Sequence, residues 1–146
     1  MAKTLKYRFA TETAIDIARI IKKRFPKISA DCIIPIPLHK SRLRWRGFNQ
    51  AELIARELSL LWNIPVRTDL LIRQKSTSPQ ADIKNRDDRI KNATGIFAPH
   101  LVVKPLSGTV ILIDDLSTTG STLDQAARVL KSLGVEKVIG VVFARG

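Results

Sequence analysis

Residues 110–122 read "VILIDDLSTTGST". An apolar run ends in two adjacent carboxylates, Asp114 and Asp115. A turn of hydroxyls and one glycine follows: Ser117, Thr118, Thr119, Gly120, Ser121 and Thr122. The next residues, "STLDQAARVLKSL", have the apolar spacing of a helix. The turn therefore lies at the carboxyl end of a strand and the N-terminus of a helix. There, unpaired N–H groups and the helix dipole favour an anion, above all a phosphate. Gly120 lets the backbone approach that phosphate, and the hydroxyls add donors. The carboxylates cannot serve a phosphate, because like charges repel. They suit the vicinal hydroxyls of a ribose, or a magnesium ion in an oxygen shell. Together the parts describe a ribose 5-phosphate site. The competing reading is an N-capping turn after a solvated strand end. Carboxylates at the end of an apolar strand are costly without a ligand, which weighs against it. No Gly-Lys-Ser/Thr occurs, so this is not a Walker A loop, and a single glycine does not make a dinucleotide fingerprint.

A second cluster is "HKSRLRWRGFNQ", residues 39–50, where Arg42, Arg44 and Arg46 alternate around Trp45. Three readings stand. The arginines bind a pyrophosphate or an anionic acceptor, they hold single-stranded nucleic acid with Trp45 stacking on a base, or they form a solvated basic turn. His39 and His100 lie far apart and show no metal spacing. Cys32 and Trp62 sit in apolar surroundings and read as core residues. Asp87 and Asp88 read as a solvated pair.

These residues need elements to position them. Residues 12–25 predict a helix with Ile15, Ala18, Ile20 and Ile21 at helical spacing, stopped by Pro26. Residues 31–36 predict a buried strand. Residues 49–62 predict a helix capped by Asn49, with Leu53, Leu60 and Leu61 on its buried stripe. Residues 109–114 predict a strand, 121–133 a helix stopped by Gly134, and 137–144 a last buried strand. Strands alternating with helices imply βαβ units and a mainly parallel sheet. The polar stretch 72–92, "IRQKSTSPQADIKNRDDRIKN", is too long for an ordinary connection and reads as a flexible lid ahead of a disordered segment.

At 146 residues the chain suits a single domain, 1–146, with a core large enough to need no staples. It is 45% hydrophobic and 26% charged, which excludes a disordered or fibrous chain. One cysteine excludes an internal disulfide framework. No apolar run reaches membrane-spanning length and no signal-peptide core follows Met1, so a cytoplasmic protein without membrane insertion is expected. The net charge is +12, and residues 1–50 carry 12 Lys/Arg against 3 Asp/Glu. That imbalance suggests a polyanionic partner.

"VILIDDLSTTGST" resembles the phosphoribosyl pyrophosphate motif of type I phosphoribosyltransferases. "IIPIPLHKSRLRWRGFNQAELIA" (33–55), "RQKSTSPQ" (73–80), "RIKNATGIF" (89–97) and the ending "VVFARG" resemble signatures of the ComF/GntX family. The resemblance covers nearly the whole chain. It implies an α/β three-layer sandwich with a mainly parallel central sheet. It implies an enzyme that binds phosphoribosyl pyrophosphate with Mg2+ and transfers phosphoribosyl to or from an acceptor, placing it in nucleoside metabolism. Two alternatives stand beside it: a non-catalytic sensor of the same ligand, and a DNA-uptake (competence) accessory that binds single-stranded DNA. The resemblance implies roles for residues of this chain. Asp114 and Asp115 would hold the ribose hydroxyls and magnesium, and Ser117 through Thr122 would cradle the 5-phosphate. Pro37, Leu38, His39 and Lys40, with Arg46, would contact the pyrophosphate, and Arg73 and Lys75 would reach it from the flexible loop. A homodimer is a further expected partner. Many family members begin with a cysteine-rich zinc ribbon. Here the chain starts near the first helix of the catalytic domain, so either a short form without the ribbon or a missing N-terminal segment is expected.

Overall fold

The computed structural model describes residues 2–74, 95–100, 106–117 and 119–145. In chain order the elements are α1 (Ala2–Arg24), β1 (Cys32–Pro35), α2 (Lys40–Arg46), α3 (Gln50–Trp62), β2 (Leu71–Arg73), β3 (Phe97–Pro99), β4 (Thr109–Ser117), α4 (Ser121–Ser132) and β5 (Lys137–Arg145). The central sheet is parallel throughout, with the order β1-β4-β5. Residues 65–67 flank its β1 edge, where Ile33 N–H donates to the Pro65 carbonyl at 2.8 Å and Arg67 N–H to the Ile33 carbonyl at 2.8 Å. β2 and β3 form a separate antiparallel pair.

Period-two alternation divides the sheet's side chains between two cores. Ile33, Ile111, Ile113 and Val141 pack with α1 and α3 on one face. Cys32, Ile34, Val110 and Leu112 pack with α4 and the β2–β3 pair on the other. Helices and the small sheet thus cover both faces, as a parallel sheet requires. This is the expected α/β three-layer arrangement. Cys32 and Trp62 are core residues as expected, and burial pushes the Cys32 thiol up.

Several expectations need correction. α1 begins ten residues earlier than the helix read over 12–25. Its added turns contain helix formers and an exposed Arg8–Glu12 pair spaced i, i+4. Its buried stripe is Ala10, Ala14, Ile17, Ala18 and Ile21, whereas Ile20 is exposed. α3 is capped by Asn49 as predicted, but it buries Ala51, Ile54, Ala55, Leu58 and Trp62, while Leu60 and Leu61 face solvent. The small alanines, not the leucines, let α3 approach α1 and the sheet. β4 runs three residues past the predicted end at Asp114. The basic segment after β1 is a helix, not a turn: His39 caps it by accepting from Ser41 N–H, and Gly47 closes it with φ 86°. The stretch read as a lid opens with strand β2, so Ile72 and Arg73 are fixed in a ladder with Phe97 and Ala98. Its remainder from residue 75 lies outside the described residues.

Candidate functional site

The site forms at the carboxyl ends of β1 and β4, the edge of a parallel sheet where ligand crevices form. Pro35 stands opposite Ile113 in the ladder, and Ile36 N–H donates to the Ile113 carbonyl at 2.9 Å. The segment Pro37, Leu38, His39 and Lys40 therefore leaves the sheet beside Asp114. Its Ile36–Pro37 peptide is trans. Asn49 holds this segment in place. Its side-chain NH2 donates to the Ile36 carbonyl at 2.9 Å, while its side-chain oxygen accepts from Ala51 N–H at 3.2 Å and caps α3.

Asp114 and Asp115 diverge because side chains alternate along β4. Asp114 shares the parity of Val110 and Leu112 and faces the α4 side. Its 8% exposure makes it the one buried charged residue among those described. Its Oδ1 accepts from Asp115 N–H at 2.9 Å. Burial, then the negative charge of Asp115, pushes its carboxyl up to about 7, and the Arg73 guanidinium pulls the other way. Arg73 lies 5.5 Å over the Phe97 ring. Burial lowers its pKa and nearby Arg42 adds to that, while Asp114 counters both. The structure thus brings Arg73 and Arg42 into Coulombic reach of each other, and Arg73 into reach of Asp114.

Asp115 shares the parity of Ile111 and Ile113 and faces the α1 side. It stands in the wall of a cavity of about 700 Å³ bounded by α1, α2, the start of α3 and Phe143 of β5. Arg46 lines the same cavity, and its guanidinium lies 5.2 Å over the Phe48 ring.

Beyond β4 the chain turns into α4 through Thr119 and Gly120. Gly120 is the N-cap, with φ 76°, a backbone that L side chains resist. No side chain of the cap residue bonds to the helix end. Thr119 Oγ1 donates to Ser121 Oγ at 3.0 Å and accepts from Ser121 N–H at 3.4 Å. Thr119 and Ser121 are exposed, and Gly120 and Thr122 half-buried. Ser117 ends β4 at this turn. Thr118 and Lys75 lie outside the described residues.

The structure thus places Asp114, Asp115, the turn to α4 and the segment after β1 at the carboxyl ends of β1 and β4, with Arg73 in Coulombic reach of Asp114. Sequence reasoning read Asn49 only as a helix cap and missed its bond to Ile36. It also missed Lys6 and Phe9 at the cavity, because the helix was taken to start at residue 12. The Arg8–Glu12 spacing was the available signal for the longer helix.

The chain as a whole is similar to known proteins. The family model described as "Phosphoribosyl transferase domain" matches residues 10–146. Competence protein F of Haemophilus influenzae is 38% identical over 110 residues, covering 74% of this chain and 47% of that protein. Competence protein ComFC of Bacillus subtilis is 34% identical over 116 residues, covering 75% and 43%. DNA utilization protein YhgH of Escherichia coli O157:H7 is 32% identical over 109 residues, covering 74% and 46%. The chain therefore spans less than half the length of these relatives. Among solved structures, adenine phosphoribosyltransferase from Leishmania tarentolae superposes with a TM-score of 0.53 at 18% identity, covering 90% of this chain and 56% of that one. The chain belongs to the phosphoribosyl transferase domain family, and within it to the ComF group. No helix among the described residues is long and apolar enough to cross a membrane.

Proposed function

We propose that this chain binds phosphoribosyl pyrophosphate with magnesium and transfers its phosphoribosyl group to an acceptor. The observation that carries the proposal is the buried Asp114 carboxylate, paired with Asp115 immediately before a glycine turn that opens a helix. A carboxylate held at 8% exposure keeps its acid pushed up to about 7 even with the Arg73 guanidinium in Coulombic reach. That fits a divalent ion. No group of three or more His, Cys, Asp or Glu gathers among the described residues. Magnesium fits such a sparse set, since it binds through one or two carboxylates plus substrate phosphates. Asp114 and Asp115 would hold it, and it would neutralise the departing pyrophosphate.

The chain's own groups supply the rest. The N-terminal end of α4, with the Thr119, Ser121 and Thr122 hydroxyls, holds the 5-phosphate. Asp114 and Asp115 orient the ribose. The C1–oxygen bond breaks with its electron pair leaving on pyrophosphate, while a lone pair of the acceptor forms the new bond to C1. Any proton on the acceptor atom passes to solvent. Positive charge at C1 develops beside the carboxylates, and Arg73 with the segment Pro37–Lys40 faces the leaving group.

The test is calorimetry of the full chain with phosphoribosyl pyrophosphate, with and without magnesium. Binding should require magnesium. Asp114→Asn with Asp115→Asn should weaken it at least about tenfold, since each charged hydrogen bond lost costs about 1.5–3 kcal/mol. Binding by the double variant within about twofold of the parent would refute the assignment. Pyrophosphate release in the presence of an acceptor separates an enzyme from a sensor that only binds.

A specific observation keeps a second reading. α2 buries no residue, Trp45 on it is 81% exposed, and Arg42, Arg44 and Arg46 all face solvent. Relatives carry the names competence protein and DNA utilization protein. Under this reading α2 meets single-stranded DNA.

A further inference from the structure

The chain leaves the sheet at Ile36 and returns at Asn49, and one bond joins the two points: the Asn49 side-chain NH2 donates to the Ile36 carbonyl at 2.9 Å. Residues 37–48 therefore form a loop closed at its base, with α2 at its tip. Every residue from Lys40 to Gly47 is exposed, and α2 buries no side chain. A seven-residue helix is too short to stand by itself, because helices gain most of their stability from a packed face. Its charges oppose it too. Lys40 with Arg44, and Arg42 with Arg46, are like-charged pairs at i, i+4, and no acid stands in the first turn. Among the described residues none of these four cations makes an ion pair. Two caps remain. His39 Nδ1 accepts from Ser41 N–H at 3.4 Å, and Gly47 N–H donates to the Leu43 carbonyl at 2.7 Å. A segment with so few contacts sits at the low end of local stability, while the base of its loop is fixed to β1 and α3.

We infer that α2 is a hinged cationic flap, and that the pyrophosphate group of the bound donor, phosphoribosyl pyrophosphate, consolidates its helix. The inference rests on the function proposed above. The flap carries Arg42 into Coulombic reach of Arg73, which the β2–β3 ladder holds in place. Two guanidiniums at such range repel, and a multivalent anion between them turns the repulsion into two attractions. That anion meets one cation on the flap and one on the fixed pair of strands, so it draws α2 onto the crevice. It also offsets the repulsion along the helix. Ordering and binding are then one event, and each strengthens the other. The two cores take no part, since α2 contributes no residue to either.

Hydrogen exchange of the full chain, read by mass spectrometry at residues 40–47, tests this with α3 as the rigid reference. In the free chain these amides should exchange freely while those of Ile54 to Leu58 stay protected. Phosphoribosyl pyrophosphate with magnesium should slow them at least about tenfold and leave α3 unchanged. Protection equal to that of α3 in the free chain overturns the inference, because the helix is then rigid already. Exchange that bound donor does not alter overturns it as well. Slowing by a thymidine oligonucleotide but not by the donor also overturns it, and identifies α2 as a nucleic-acid element. Gly47→Ala supplies a second measurement. Nothing lies within 4 Å of a Cβ at Gly47, so the change strains only the left-handed cap at φ 86°. It should leave thermal unfolding unmoved and weaken donor binding about three- to tenfold, as the binding-competent fraction falls. A lowered unfolding temperature with donor affinity unchanged makes α2 a fixed part of the fold and overturns the inference. Calorimetry on the same samples keeps the two proposals apart. Intact donor binding with unaltered exchange defeats the flap alone. Absent donor binding defeats the reading on which it rests.

Discussion

Asp114 shows at residue scale how a functional group is kept in an unfavourable place. Its raised acid makes a stability prediction with a definite sign. In the unfolded chain the group titrates near its ordinary 3.8, and in the fold near 7. Between those values the folded state holds a proton that the unfolded state has lost. Stability is therefore full below about pH 4 and falls as pH rises through 7, by up to about 4 kcal/mol from the size of the shift. Urea unfolding of the parent and of Asp114→Asn, at pH 4.5 and pH 8, measures this. The variant should gain relative to the parent at pH 8 and lose that advantage at pH 4.5. Parallel pH profiles would show that Asp114 is not held in this way. The identity of both acids was plain in the sequence. Their divergence to opposite faces was not, because ending the strand at Asp114 left Asp115 in a loop with no defined parity. Arg73 was legible as a basic residue near the donor. Its stacking on Phe97 was not, since the pairing of β2 with β3 joins residues far apart in the chain.

At the scale of elements, Asn49 ties two of them together. Its oxygen caps α3 and its NH2 holds the backbone that leaves β1. Asn49→Ala should cost about 1–3 kcal/mol, from a lost cap and a lost partly buried hydrogen bond. Asn49→Asp keeps the cap but sets a carboxylate oxygen against the Ile36 carbonyl in place of the donor. It should recover only the capping part of the stability while donor affinity remains reduced. Thermal unfolding and donor calorimetry on the two variants separate these effects. Equal donor affinity in all three proteins would show that the bond to Ile36 does not position the segment. The elements themselves were largely legible, because apolar periodicity, Asn49 and Gly134 mark their types and ends. Gly134 has φ 102°, and a Cβ there would run into the Leu106 carbonyl. What misled was side-chain size. Leucines on α3 outrank alanines by hydrophobicity, yet close approach of α3 to α1 needs Ala51 and Ala55 at the contact. The helix α2 was hidden by its composition, since "KSRLRWR" buries nothing and shows no apolar stripe.

For the whole molecule, the net charge of +12 acts on any polyanion near the crevice. A small polyphosphate bridged by magnesium and a long DNA backbone respond differently to salt. DNA affinity should fall with a slope of about 0.7 log unit per log salt for each single-strand phosphate neutralised, whereas donor binding should change far less. The variant Arg42→Ala, Arg44→Ala, Arg46→Ala should lower the oligonucleotide slope by two or more such increments, at about 0.7 each. Titrations at low and moderate salt provide the slopes. A variant slope equal to the parent's would remove α2 from any nucleic-acid surface. The charge asymmetry itself was visible in the first 50 residues. That four of those twelve basic residues stand together on the exposed helix α2 required the fold. The same fold separates the chain's two indoles. Trp62 is buried at the far end of α3 with its N–H given to the Phe25 carbonyl at 3.1 Å, and Trp45 stands in water at the cavity rim. Near-ultraviolet excitation therefore reads two emitters of different colour from one unlabelled chain. The blue component follows the integrity of the packed interior, and the red one follows what arrives at the rim.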